Sequence, residues 1–236
     1  MFANFERLKE SDMKKLALII TTLLLSVSVF AQEDVTKFLG IPVDGFKPEM
    51  IRKLKAKGFV EHPYLSDVLV GEFNGRDVEV SVGTNNNKVY RIFLRDRYAS
   101  SETDIKIRFN TLCRQFEGNK KYLSLSEQII PEDEDISYEM TVNKKRYEAG
   151  FYQVPESLDT AALQSQILPK IMEEFTQEEL ANPSEEVQAK ILEKAFMYTL
   201  ELVEKKTVWF MISNDGGYRI LMYYDNKLNQ ANGEDL

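Results

Sequence analysis

The segment that most restricts the fold is TVWFMISNDGGYRILMYYDN, residues 207–226. Two apolar runs flank a Gly-rich turn, so residues 208–212 should pair with 218–222 as an antiparallel hairpin around SNDGG. Side chains alternate across a strand. Val208, Phe210, Ile212, Tyr218, Ile220 and Met222 therefore share one face, and Trp209, Met211, Leu221 and Tyr223 the other. An antiparallel sheet covered by helices on one side normally shows polar residues on its other side. This hairpin is apolar on both. Either another layer or module covers the second face, or Trp209, Met211, Leu221 and Tyr223 form a partner-binding patch rimmed by Arg91, Arg219 and neighbouring tyrosines. Aromatic residues and Met are enriched in such patches. A carbohydrate-stacking surface would use the same residues.

The rest of the chain reads as more antiparallel sheet with helices. In FLGIPVDGFKPEMIRKLKAKGF, Pro48 suits the first turn of a helix and Gly58 its C-terminal cap. Met50, Ile51 and Leu54 make its buried stripe, and Phe59 can fold back over the last turn. Asn74-Gly75 marks a hairpin, followed by alternation at Val78, Val80 and Val82, a turn over 84–87, and a strand with Tyr90, Ile92 and Leu94 facing inward against Arg91 and Arg95 outward. Ile105, Phe109, Leu112, Cys113 and Phe116 fall on one helical face between Ser101 with Asp104 and Gly118. ISYEMTVNKKRYEAGFYQ reads as another hairpin, with Tyr138, Met140 and Val142 on one arm and Tyr147, Ala149 and Phe151 on the other. A helical region over about 157–206 follows, interrupted at Pro169 and Pro183; its last helix carries Val187, Ile191, Ala195, Tyr198 and Leu202 on one face.

This predicts an α+β fold of two modules, each an antiparallel sheet with helices packed on one face. Module 1 spans 32–120, an acidic connector 121–135, and module 2 spans 136–236 with a long helical insertion. FNGRDVEVSV followed by VYRIFL, and VNKKRYEAGF followed by GYRILM, suggest an internal repeat.

Residues 1–31 stand outside this fold. Lys14 and Lys15, an apolar run over 16–30, and Val29-Phe30-Ala31 make a secretory signal with cleavage between Ala31 and Gln32. The run is too short for a membrane span, and Glu33 and Asp34 follow it. Glu6, Glu10 and Asp12 are out of place in such a leader, so Met13 is read as the true start. The expected location is therefore the periplasm or the exterior, with no stable membrane span after cleavage. The whole chain has 30 basic and 38 acidic residues; the first 31 hold four and three of these, which leaves 26 against 35, a net charge of −9, for residues 32–236. Such a balance argues against nucleic acid as a partner. The single cysteine, Cys113, allows no internal disulfide and sits on an apolar helix face as a core residue.

Catalytic signals are sparse. HExxH, GxSxG and GxxxxGK[ST] are absent, and one His with one Cys cannot build a zinc cluster. His62 precedes Pro63 in a loop with no visible partner, and the EDED run lacks calcium-loop spacing. No catalytic residue, metal or cofactor is expected, although the many carboxylates leave a glycosidase pair open.

The stretch FLGIPVDGFKPEMIRKLKAKGF…FNGRDVEVSVGTNNNKVYRI, with the helix RFNTLCRQFEGNKKY, resembles a family of uncharacterised exported bacterial α+β proteins. The resemblance covers most of residues 32–236 and brings no function. More distantly, the helix followed by a three-stranded meander is similar to β-lactamase-inhibitor-protein-like and outer-membrane-assembly-lipoprotein modules. That likeness implies binding of other proteins rather than catalysis. This chain lacks their lipid-attachment Cys and disulfide pair, so only the general architecture carries over. The expectation is an exported, non-catalytic binding protein of the periplasm or cell envelope that recognises a protein partner. The alternative is a secreted glycan-binding or glycan-processing protein.

Overall fold

The structure, a computed structural model, describes residues 35–154 and 160–231. The leader and its Ala31–Gln32 junction lie outside the described residues. The described chain forms two compact units: residues 35–153 with the chain from Lys205 onward, and residues 154–204.

The first unit is α+β. Its strands are β1 (Lys37–Phe38), β2 (Ile41–Pro42), β3 (Val60–Glu61), β4 (Val68–Phe73), β5 (Arg76–Asn85), β6 (Lys88–Asp96), β7 (Tyr122–Leu123), β8 (Glu148–Gln153), β9 (Lys206–Asn214) and β10 (Tyr218–Asn226). β1 and β2 form a small ribbon; the others make one eight-stranded sheet in the order β3-β4-β5-β6-β10-β9-β8-β7. Every neighbouring pair is antiparallel. Helices α1 (Lys47–Ala56), α2 (Glu102–Glu117) and α3 (Ile136–Thr141), with a 3-10 turn at Lys227–Asn229, complete the unit.

Local chemistry places most of these elements. Pro48 sits in the first turn of α1, whose Met50 and Leu54 are buried. Phe59 folds back as expected, and its ring lies over Gly71 of β4, where a Cβ would come within 2.6 Å of it. Asn74 and Gly75 take φ of 51° and 72°, and Asn86 and Asn87 take 47° and 63°, the left-handed values that tight hairpins need. Ser101 caps α2 by accepting from the Asp104 N–H at 3.1 Å.

One core joins the helices to one face of the sheet: Met50, Leu54, Ile105, Phe109, Leu112, Cys113 and Phe116 pack with Val78, Val80, Ile92, Leu94, Phe151, Val208, Phe210 and Met222. Cys113 is fully buried, with its Sγ 3.7 Å from the Gln128 carbonyl, and burial pushes its thiol up to about 12.

Three local expectations are corrected. Ile136–Thr141 is helix, not strand: Asp135 accepts from the Tyr138 N–H at 2.8 Å and starts a turn that buries Ile136. Only the second arm of the expected hairpin, β8, is extended. Tyr90 does not face the core. A bulge at Gly83/Thr84 shifts the register so that Val89 pairs with Thr84 and is buried, while Tyr90 stays partly exposed.

The third correction concerns the other unit, which holds α4 (Thr160–Glu174), α5 (Gln177–Ala181) and α6 (Glu185–Val203). α4 runs through Pro169 without interruption, whereas Pro183 does separate α5 from α6. Proline removes one helical donor, and α4 tolerates that loss. α4 and α6 are joined by Lys170–Glu201 at 2.6 Å and Lys194–Glu174 at 2.7 Å. Ile191 and Ala195 are buried and Val187 and Tyr198 half-buried, as the stripe predicts; the side chain of Leu202 is outside the description. No helix among the described residues is long and apolar enough to cross a membrane.

The large sheet has an internal twofold order. α1 leads into β3-β4-β5-β6, and α2 leads into β7-β8-β9-β10, with each set running from an edge to the centre. β6 pairs with β10, and Leu94 lies directly opposite Met222. Those two residues are equivalent when VYRIFL is laid on GYRILM, as a local twofold through that pair requires. The other half of the sequence match does not hold: by position in the sheet, β8 corresponds to β4, not to β5.

The β8 edge shows how the sheet protects its backbone. β7 pairs only with Tyr152 and Gln153. Beyond it, the Gln128 side chain accepts from the Gly150 N–H at 2.6 Å and donates to the Gly150 carbonyl at 3.1 Å, taking the place of a neighbouring strand. Gln128→Ala should cost about 1–3 kcal/mol, because a half-buried donor and acceptor lose their partners together. Urea unfolding checks this, and accelerated exchange of the Gly150 amide should accompany the loss.

Candidate functional site

The alternation read from the hairpin holds. Val208, Phe210, Ile212, Ile220 and Met222 are buried in the core, and Trp209, Met211, Leu221 and Tyr223 stand on the other face, each half-buried. Cross-strand register brings them together: Trp209 opposes Tyr223, Met211 opposes Leu221, and β6 sets Phe93 opposite Tyr223.

The rings form a ladder. Trp209 and Tyr223 are stacked at 4.0 Å and 12°, and Phe93 lies 5.0 Å from Tyr223 at 33°. The next position in the row, opposite Trp209 on β8, is Gly150. Stacked cross-strand pairs of this kind stabilise a sheet locally.

An ion pair holds the ladder. Arg91 opposes Asp225 in the register. Its Nε and Nη2 donate to the two Asp225 carboxylate oxygens at 2.6 and 2.7 Å. The Trp209 Nε1–H donates to the same carboxylate at 3.0 Å. Asp225 is 4% exposed, so three charge-assisted bonds replace its lost hydration. The Arg91 guanidinium lies over Tyr223 at 4.8 Å and within 6 Å of the Tyr90 and Trp209 rings. The Asp225 hydrogen bonds raise the Arg91 pKa above its ordinary value, and burial raises that of the Tyr223 phenol. The indole and the guanidinium are thus both positioned by one buried carboxylate.

Sequence reasoning placed Arg91 at the rim but missed Phe93 and Asp225. Phe93 was legible, because it alternates with Ile92 and Leu94. Asp225 was not, because nothing local shows that β10 lies beside β6. The other proposed rim residue, Arg219, donates to the Asp215 carbonyl of its own turn at 2.8 Å.

The twofold equivalents of Trp209 and Tyr223 are Glu79 and Arg95, so the same face is charged in its other half. Arg95 Nη1 lies 3.2 Å from Glu79, and His62 Nε2 lies 4.0 Å from the same carboxylate. His62 Nδ1 accepts from the Tyr64 and Leu65 N–H groups at 3.1 and 3.0 Å. Nδ1 thus closes the turn that follows β3, and Nε2 faces a carboxylate.

Among the described residues no three His, Cys, Asp or Glu side chains converge as a metal ligand set. An open recess of about 250 Å³ lies between the β4–β5 turn and α2, lined by Asn74, Arg76, Asp104 and Gln115 among others. Arg108 in its wall is committed to Asp96. In comparisons with known proteins, the chain matches no family model, no curated protein and no solved structure.

Proposed function

We propose that this is an exported, non-catalytic binding protein of the periplasm or cell envelope, and that it takes a protein partner on the sheet face built by Trp209, Met211, Leu221 and Tyr223. The observation that carries the reading is the Phe93–Tyr223–Trp209 ladder held by Asp225 and Arg91. Rings and a guanidinium already fixed by packing and hydrogen bonds lose little conformational entropy when a partner docks. Tyr, Trp and Arg are also the residues that dominate binding energy at protein interfaces. The N-terminal signal pattern supports the exported location.

The glycan alternative fits the geometry less well. A sugar site is usually built from several open ring faces, and here Tyr223 stands between Phe93 and Trp209, so only the β8-facing side of Trp209 is open.

The test is capture from the organism's own envelope extract with the processed chain, followed by affinity measurement on the partner identified. Trp209→Ala should weaken that binding by about 2 kcal/mol or more, roughly thirtyfold, with the circular dichroism spectrum unchanged. Undiminished affinity would remove the partner site from this face. Turnover of a cell-wall glycan, lost on replacing particular carboxylates, would favour the alternative.

A further inference from the structure

The ladder is unfinished at one end. Tyr223 covers one face of the Trp209 indole at 4.0 Å. The opposite face looks along the row toward β8, where Gly150 opposes Trp209. A Cβ built on Gly150 meets no atom within 4 Å. Every other position in the row from β6 to β9 carries a ring, so the sheet leaves a gap one side chain wide beside its single tryptophan.

The surroundings define what the gap can take. The backbone is closed to a docking strand at this point, because Gln128 already bonds both the N–H and the carbonyl of Gly150. What enters must therefore be a side chain or a group of similar size. Glu148, which opposes Met211 on the same face, is paired with Arg146 at 3.0 Å, and Arg146 Nη2 reaches the Met211 Sδ at 3.9 Å. On the other side of Trp209, Arg91 is paired with Asp225. Each charge bordering the gap thus has its counter-charge within the chain. A charged occupant would find no unpaired counter-charge on this border; an uncharged ring matches both the indole face and the balanced border.

We propose that the gap over Gly150 receives one uncharged aromatic side chain, Phe, Tyr or Trp, from the protein partner, stacked on the free face of Trp209 as the next ring of the ladder. This rests on the reading of the face as a partner site, and it makes Gly150 the residue that sets specificity there. Buried aromatic anchors in small pockets are the usual centres of binding energy in such interfaces.

The sole tryptophan gives one indole N–H cross-peak in a ¹⁵N-labelled spectrum, a clean report on this position. The processed chain is titrated with N-acetylphenylalaninamide, N-acetylargininamide and N-acetylglucosamine. The expected result is a saturable shift of the Trp209 indole and Gly150 amide peaks with the aromatic amide, at least fivefold weaker with the other two. Gly150→Phe, which fills the gap from within, should abolish the indole shift, and Gly150→Ala should weaken it severalfold. A drift that never saturates, or a shift that persists in a folded Gly150→Phe protein, overturns the proposal. Saturation by the sugar alone overturns it in favour of a glycan. Partner binding lost in Trp209→Ala but kept in Gly150→Phe would sink the ring site while the face reading stands. Ring binding with partner affinity untouched by Trp209→Ala would sink the face reading and leave the ring site.

Discussion

Asp96→Ala should destabilise the sheet unit by about 3–5 kcal/mol, the range for removing one partner of a buried ion pair. Asp96 ends β6 on the core face, 4% exposed, and Arg108 of α2 is 9% exposed. Arg108 Nε and Nη2 donate to its two carboxylate oxygens at 2.7 and 2.6 Å, and the Ile220 N–H lies 3.3 Å from Oδ2. One carboxylate therefore ties α2 to the central strands of the sheet, close to the β6–β10 seam. Truncation leaves a largely buried guanidinium charge without its counter-ion, which is the main source of the cost. The pair itself is not expected to be a large net gain, because its attraction is offset by desolvation. Asp96→Leu combined with Arg108→Met should therefore cost much less than the sum of Asp96→Ala and Arg108→Ala. Urea unfolding followed by Trp209 fluorescence measures all three variants, since the only tryptophan lies in this unit. A loss under about 1 kcal/mol for Asp96→Ala would show that the pair is solvated in solution.

Phe210→Ala should cost a similar amount, about 3–5 kcal/mol, by a different mechanism. Phe210 is fully buried on β9. Its ring lies 5.9 Å from Phe151 at 15°, 5.9 Å from Phe116 at 27°, and 5.1 Å from Phe109 at 68°. It thus joins β8, β9 and α2 through one aromatic cluster. Alanine removes the ring from the middle of that cluster, and the two rings of α2 and the one of β8 cannot all close the space. Phe210→Leu, which retains most of the volume, should cost well under half as much. The residue next to it supplies the contrast. Trp209 points to the opposite face, so its replacement should act on partner binding more than on folding. Equal stability losses at 209 and 210 would mean that the second face is as much core as the first.

The candidate patch was legible because strand alternation is local. Once 208–212 and 218–222 are strands joined by a short turn, their face assignments follow from a period of two, and Trp209 with Tyr223 must be neighbours. Alternation over Tyr138, Met140 and Val142 resembled a strand, but Asp135 as a cap made a short helix there. Tyr90 was placed inward by counting in twos, and one bulge moved it out of phase. Pro169 marked a break that α4 did not make. Each error came from a local rule outweighed by a neighbouring bond or by packing.

What the amino-acid order determined by itself is what neighbours within a few residues decide: the hairpin turns at Asn74-Gly75 and Asn86-Asn87, the Ser101 cap, the buried face of α2 and the two faces of the final hairpin. What only the tertiary structure decided is what lies beside what. The β6–β10 pairing closes two four-stranded halves into one sheet, brings Arg91 to Asp225 across 134 residues of chain, and seats Arg108 on Asp96. Backbone hydrogen bonds are the same for every strand, so they cannot specify which edges meet. That choice rests on the combined burial of the core face, and it sets the Trp209 ladder, its carboxylate and the open position at Gly150 side by side.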